Sequence, residues 1–431
     1  MPELISRSLL RVLTGVCLGL MSATASARTL EDLLFQAMQS YPSVLSKQSS
    51  RDAAKTDLTA AKLKFLPSPS FSTQRQEVSY SGQPNTRQPA TNITVNQPLF
   101  LDGGIIAGYK KADARLNAAD YGLLETREDV SKRVINAYTE WLKAYLKLKA
   151  LEDNVRLHQK FAGMISSRFD QGVASGADKD LGFSRLHQAQ ADLDTQRSLE
   201  STALTSISEL VGEPIRREDL LGSIAKPVVL PKRADGIAKA QVQSVTVQRY
   251  KFEAEAAEQE AKEIRAQALP QVSLQAQRQV GNAYLPGAQG YDMYGLVVTY
   301  NPGGGLSSIA GASAAFERAK SATIQVDTAK RELTDRLNAD YNEYEFALLK
   351  KESLQRSANL TGDIAASYDR QYLVGRKSWL DLMNSVREQA QTKVQLADAE
   401  GSLLGASRRL MVYIDGTMPF DVPPEHTVNK K

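Results

Sequence analysis

Few residues in this chain could do chemistry, and their spacing points away from catalysis. There are three histidines, His158, His187 and His426, and a single cysteine, Cys17. His158 and His187 fall in helix-like stretches and read as members of solvated helix faces, while His426 sits in a polar tail. The glycine run 303–305 lacks the Lys-Ser/Thr of a phosphate-binding loop. The sequence has no G-x-S-x-G, no H-E-x-x-H and no paired carboxylates that would define a cleft. No catalytic residue, cofactor site or metal site is expected, so the chain is not read as an enzyme. One arrangement does recur: "RFDQGVASGAD" (168–178) and "QYLVGRKSWLD" (371–381). In each, a glycine (Gly172, Gly375) is followed six residues later by a carboxylate (Asp178, Asp381). Glycine permits the positive φ of a helix ending. An aspartate opening the next helix serves as N-cap or dipole partner, a role Asp180 could fill as well as Asp178.

The elements that position these motifs form a tandem repeat. Proline-free spans run 99–213 and 303–418, and Pro67, Pro98, Pro270 and Pro302 mark equivalent boundaries at an offset of 203 to 204 residues. A period held over the whole chain is a duplication. Within each copy the order is helix, two strands, long helix, break, helix. The first copy, 28–212, is expected to hold a helix over 30–64, strands 68–78 and 91–100, a long helix 105–171 and a helix 177–211. The second, 234–416, begins with a helix, then strands 270–280 and 292–301, a long helix 305–372 and a helix 378–415. Residues 213–233 read as a linker between the copies, and 417–431 as a disordered tail.

In "PQVSLQAQRQV" (270–280), apolar and polar residues alternate strictly. Strands of about ten residues with one apolar and one amide-rich face suit a barrel with lipid outside and water inside. The long helices carry stripes that read as packing seams: Val130, Val134, Tyr138, Trp141, Tyr145 and Leu148, then Leu333, Leu337, Tyr341, Tyr344 and Leu348.

The first 27 residues have a basic start, a short apolar core (12–21) and Ala25-Ser26-Ala27, the pattern of a cleaved signal peptide. Val16 before Cys17 departs from a lipid-anchor motif, and cleavage would leave no cysteine for disulfide, thiol or thiolate chemistry. The net charge of +4 is interspersed along the chain, which offers no basic face for nucleic acid. The 67 residues of 105–171 would make a helix of roughly 100 Å, alongside which the two shorter helices of the copy can pack. Four strands cannot close a membrane barrel, and open edges are not tolerated in lipid, so several copies must share one barrel.

With "PLFLDGG" (98–104), "YNPGGG" (300–305), "FLP" (65–67), "ALP" (268–270) and the two reversal motifs, the sequence resembles the TolC family of bacterial outer-membrane efflux proteins over essentially all of 28–416. The resemblance implies an α+β membrane protein: a homotrimer with a twelve-stranded outer-membrane β-barrel and a helical coiled-coil tunnel crossing the periplasm of a Gram-negative bacterium. It places Asp381 at the pore constriction, with Asn384 where the family has a second acidic ring. Tyr372 matches a latch tyrosine and Lys377 its cationic partner, with Arg376 an additional cation and Asp178 the first-copy counterpart. Ala177 replaces the hydroxyl that would partner the tyrosine, which implies a looser latch. Gly172, Val173, Ala174 and Ser175, with Gly375, Arg376, Lys377 and Ser378, would form the docking rim for a periplasmic adaptor.

The conduit would be passive, energised by an inner-membrane ATP-driven (ABC) exporter. Absence of a lipobox favours type I secretion of a protein, with small-molecule efflux the alternative. A soluble periplasmic coiled-coil spacer is the rival from another class, and it leaves the alternating strands without purpose.

Overall fold

The structure, a computed structural model, describes residues 28–78, 86–99, 103–281, 290–301, 304 and 307–415. The expected leader, the tail with His426, Gly416 and parts of the strand-to-helix turns at 100–102, 302–303 and 305–306 lie outside the described residues. The elements are α1 (Leu30–Ser40), α2 (Pro42–Leu63), β1 (Ser68–Val78), β2 (Thr86–Pro98), α3 (Gly104–Asp170), α4 (Gly176–Val211), α5 (Arg217–Leu221), α6 (Arg233–Gln243), α7 (Val245–Gln267), β3 (Gln271–Val280), β4 (Tyr291–Thr299), α8 (Ser307–Leu373) and α9 (Trp379–Asp415). The helix lengths are consistent with a duplication. α1, α2, α3 and α4 have 11, 22, 67 and 36 residues, and α6, α7, α8 and α9 have 11, 23, 67 and 37.

The helix expected over 30–64 is instead two helices broken at Tyr41, which is extended (φ −68°, ψ 129°). A residue before proline is driven out of the helical region, and Pro42 follows. The equivalent break lies at Ser244, whose hydroxyl accepts the Val247 N–H and starts α7. β2 begins at Thr86 rather than 91 and carries Pro89 inside it. There β2 is bordered by β1 alone, because its ladder with β3 starts at Thr91, and strand proline is tolerated in such an edge setting. The linker 213–233 holds α5, which is pinned by Arg217 to the buried Glu200 and by buried Leu220.

Two compact units can be described, each by itself. One comprises 28–41, 130–230 and 340–411. Its core is the expected α3 stripe, buried at each position from Val130 to Leu148, with Tyr138 tilted against Trp141 (5.2 Å between ring centres) and Trp141 stacked on Tyr145 (5.7 Å). The linker crosses this core: the Ala225 N–H donates to the Tyr138 hydroxyl (3.0 Å), and the Val228 N–H to the Ser407 hydroxyl (3.2 Å). On α8 the expected stripe is buried at Leu333, Leu337 and Tyr341, but Leu348 is exposed and Ala347 takes the buried position. The seam drifts around the helix because 3.6 residues per turn does not match a strict heptad.

The other unit comprises 42–129, 231–339 and the described residues from 412. It contains a four-stranded antiparallel sheet in the order β1-β2-β3-β4. Paired residues share a face, so the register sorts the side chains. One face carries Phe71 with Ile93, a row that continues to Arg278 and Asp292, then Val95 with Ala276 and Tyr294, Leu274 with Leu296, and Val272 with Val298. The opposite face carries Ser70, Thr94 and Gln277, Ser72, Asn92 and Gln279, and Ser68, Asn96 and Gln275, with Met293, Tyr291 and Val297 of β4 at its edge. Phe71, Ile93, Leu274, Tyr294, Leu296 and Val298 are all exposed. Among the described residues no helix is long and apolar enough to cross a membrane.

Candidate functional site at the paired helix reversals

α3 and α8 end in the same way. After α3, the Gly172 N–H donates to the Phe169 carbonyl (2.9 Å) and the Val173 N–H to Arg168 (2.9 Å); after α8, Gly375 donates to Tyr372 (3.0 Å) and Arg376 to Gln371 (2.9 Å). Both glycines have φ +75°. This is the Schellman ending, in which a left-handed residue satisfies the last carbonyls of the helix.

The returning helices also start alike, three residues beyond each glycine. Ser175 and Ser378 accept the backbone N–H of Asp178 (3.1 Å) and Asp381 (3.0 Å). Asp381 accepts the Ser378 N–H in return (3.3 Å), and the Ser175 hydroxyl donates to the Asp178 carboxylate (2.8 Å). Of the two local roles open to the aspartates, the serine takes that of N-cap, and the aspartate is the third helical residue, answering the serine from the first turn where it can also meet the helix dipole. A serine hydroxyl at that spacing reaches the open N–H groups, whereas an Asp six residues past the glycine already lies inside the helix. The shared signal is G-x-x-S-x-x-D at 172–178 and 375–381. The Ser378 hydrogen bonds, with Lys377 nearby, hold the Asp381 carboxyl below the usual carboxylate range.

The two reversals share one core. Trp379 and Tyr372 are buried with Phe161, Ile165, Leu382, Met383 and Val386, and Ala174 packs against them. The Tyr372 and Trp379 rings lie 5.3 Å apart. Arg168, which the sequence did not single out, stacks over the Tyr372 ring (4.7 Å) and donates to the Leu373 carbonyl (3.3 Å), so the end of α3 ties down the end of α8. Lys377 lies over Tyr368 (4.4 Å). The Schellman glycines themselves are open: a Cβ at Gly172 or Gly375 would meet nothing within 4 Å. Val173, Ser175, Arg376 and Ser378 are exposed, and Ala174 and Lys377 partly so. Asp178 and Asp381 are half-buried, and Asn384 is exposed one turn beyond Asp381.

His187 is exposed as expected, but His158 is not on a solvated face: it is 4 % exposed. Burial, with Arg185 nearby, pushes its pKa below the ordinary histidine value. Among the described residues no group of three or more His, Cys, Asp or Glu is placed to hold a metal ion.

Residues 33–213 match the family of outer membrane efflux proteins. The chain is 23 % identical over 242 residues to the proteases secretion protein PrtF of Dickeya chrysanthemi, covering 53 % of this chain and 50 % of PrtF. It is 24 % identical over 212 residues to the outer membrane protein TolC of Vibrio cholerae, covering 48 % and 46 %. The aligned part is thus about half the length of the curated relatives it matches. In fold, the likeness spans nearly the whole chain: the outer membrane protein VceC of Vibrio cholerae superposes with a TM-score of 0.71 at 18 % identity, covering 89 % of this chain and 95 % of that one. The family segment, the two curated relatives and the shared fold agree: residues 33–213 match the outer membrane efflux proteins, and nearly the whole chain has the fold of the TolC-like outer membrane channels.

Proposed function

We propose that three copies of this chain form the exit duct of an export system that crosses the periplasm and the outer membrane. The observation that carries this is the sheet. It has one largely apolar, exposed face, one face that on β1, β2 and β3 is dominated by serine, threonine and amide side chains, and edge strands β1 and β4 with no neighbour beyond them among the described residues. A strand edge is not tolerated in lipid, and closing this sheet with further copies removes both edges. Three copies give twelve strands, the number the family resemblance implies.

The paired reversals then face the periplasm. Their open Schellman glycines and exposed Val173 and Arg376 support docking by a periplasmic adaptor, which would connect the duct to an inner-membrane ABC exporter. In a trimer, three Asp381 carboxylates form a ring with Asn384 behind it. Like charges converging on an axis favour hydrated cations. Protein cargo is favoured over small molecules, because one of the two curated relatives bears the name of a protease secretion protein.

Single-channel recording of detergent-purified protein in planar bilayers tests the duct. Wild type is expected to give a small cation-selective conductance, and Asp381→Ala to weaken that selectivity. Equal selectivity in both would move the constriction away from Asp381, and protein that never inserts would end the duct proposal.

A further inference from the structure

Outside the reversals, a cavity of about 390 Å³ lies between α3, α4 and α9. Its wall includes Asn154 and His158 from α3, Arg185, Gln188 and Asp192 from α4, and Arg387 from α9. Two buried polar atoms there have no partner: Nδ1 of His158 (residue 4 % exposed) and Oδ1 of Asn154 (9 % exposed). They stand one helical turn apart on the same face of α3. A buried polar atom left unsatisfied costs about 1–3 kcal/mol, so two on one wall mark a place built for an occupant.

The charges say which kind. Salt bridges lace these helices, among them Lys160 with Asp369, Arg197 with Asp194 and Lys393 with Asp153. Arg185 and Arg387 make no ion pair with a carboxylate among the described residues. The one carboxylate lining the cavity, Asp192, accepts a hydrogen bond from Gln188 (2.9 Å). Two guanidinium groups from different helices, with a histidine ring N–H in the tautomer protonated at Nδ1, give a donor-rich wall suited to the oxygens of an oxyanion. The carbonyl of Asn154 asks for the reverse, an O–H on the occupant.

We infer that this cavity binds a protonatable oxyanion, a phosphate group carrying an O–H, whose oxygens accept from Arg185, Arg387 and His158 and whose hydroxyl donates to Asn154. Phosphate at neutral pH offers both functions, whereas sulfate offers only acceptors. The bound anion also offsets the repulsion that Arg185 exerts on a protonated His158, so it raises that histidine's pKa.

The test uses full-length, detergent-purified protein titrated calorimetrically with inorganic phosphate, glycerol phosphate and sulfate. Saturable phosphate binding is expected, at least tenfold weaker for sulfate and at least tenfold weakened by Arg387→Gln. Arg387 is exposed, so the variant keeps the fold. Glycerol phosphate binding more tightly than inorganic phosphate would identify an organic phosphate as the occupant, and equal binding would identify the free ion. The chain has three histidines, so ¹⁵N-histidine spectra, assigned with His158→Gln, report the same site: the His158 titration midpoint should rise with phosphate. No saturable binding, binding indifferent to Arg387→Gln, or a midpoint unmoved by phosphate would each overturn the assignment.

Discussion

Ser378 accepts the Asp381 N–H, and Asp381 accepts the Ser378 N–H, so each satisfies a donor that the start of α9 would leave open. Replacing a serine N-cap by alanine costs about 1 kcal/mol. Ser378→Ala should therefore lower Tm at neutral pH. The same hydrogen bonds depress the Asp381 pKa. A depressed carboxyl stabilises the fold above its unfolded-state value and loses that contribution as pH falls through the folded value. Ser378→Ala should then lose less Tm than wild type on acidification; thermal melts at neutral and acid pH, with equal losses in both proteins, would refute the coupling. Gly172 and Gly375 were legible in the sequence, because only a residue free to adopt positive φ ends a helix in this way. The two serines were visible but taken for rim residues, since their hydroxyls act only once the turn has formed. His158 was misread because nothing local separates it from a solvated helix face; it is buried where α4 and α9 lie beside α3.

Among the elements, the tight spot is where α4 passes Trp379. A Cβ at Gly182 would stand 2.9 Å from Ile165 Cγ2 and 3.2 Å from Trp379 Cζ2. Gly182 thus lets α4 approach the core that joins both reversals. Overpacking of this kind costs about 1–3 kcal/mol. Alanine favours helix by about 1 kcal/mol over glycine, so Gly182→Ala should destabilise by a net of up to about 2 kcal/mol, and it should shift Trp379 fluorescence. A more stable variant with unchanged emission would show that the contact relaxes freely. The existence, order and lengths of the long helices could be read from proline-free spans and the repeat. The breaks at Tyr41 and Ser244 were harder: Pro42 announces one, but only the hydroxyl cap of Ser244 announces the other.

At the scale of the molecule, the sheet's two faces predict opposite responses to charge. Leu296, exposed on the apolar face beside Leu274, should tolerate arginine poorly, at about 2–4 kcal/mol for a lipid-facing position near the bilayer midplane. Gln277, on the amide face, should accept lysine with little loss of stability and a shift of conductance toward anions. Heat-modifiability on gels and bilayer recordings separate the two variants; the opposite pattern would mean that the faces are exchanged. The sequence by itself determined the duplication, the helix reversals and the alternation of the strands, because proline exclusion, glycine conformation and period-two patterning act within a few residues of chain. Only the tertiary structure decided that Leu348 is exposed while Leu148 is buried, that Arg168 stacks on Tyr372, and that His158 meets Arg185. Those outcomes depend on which side of a long helix faces its neighbours, and neither helix propensity nor a drifting heptad stripe fixes that rotation.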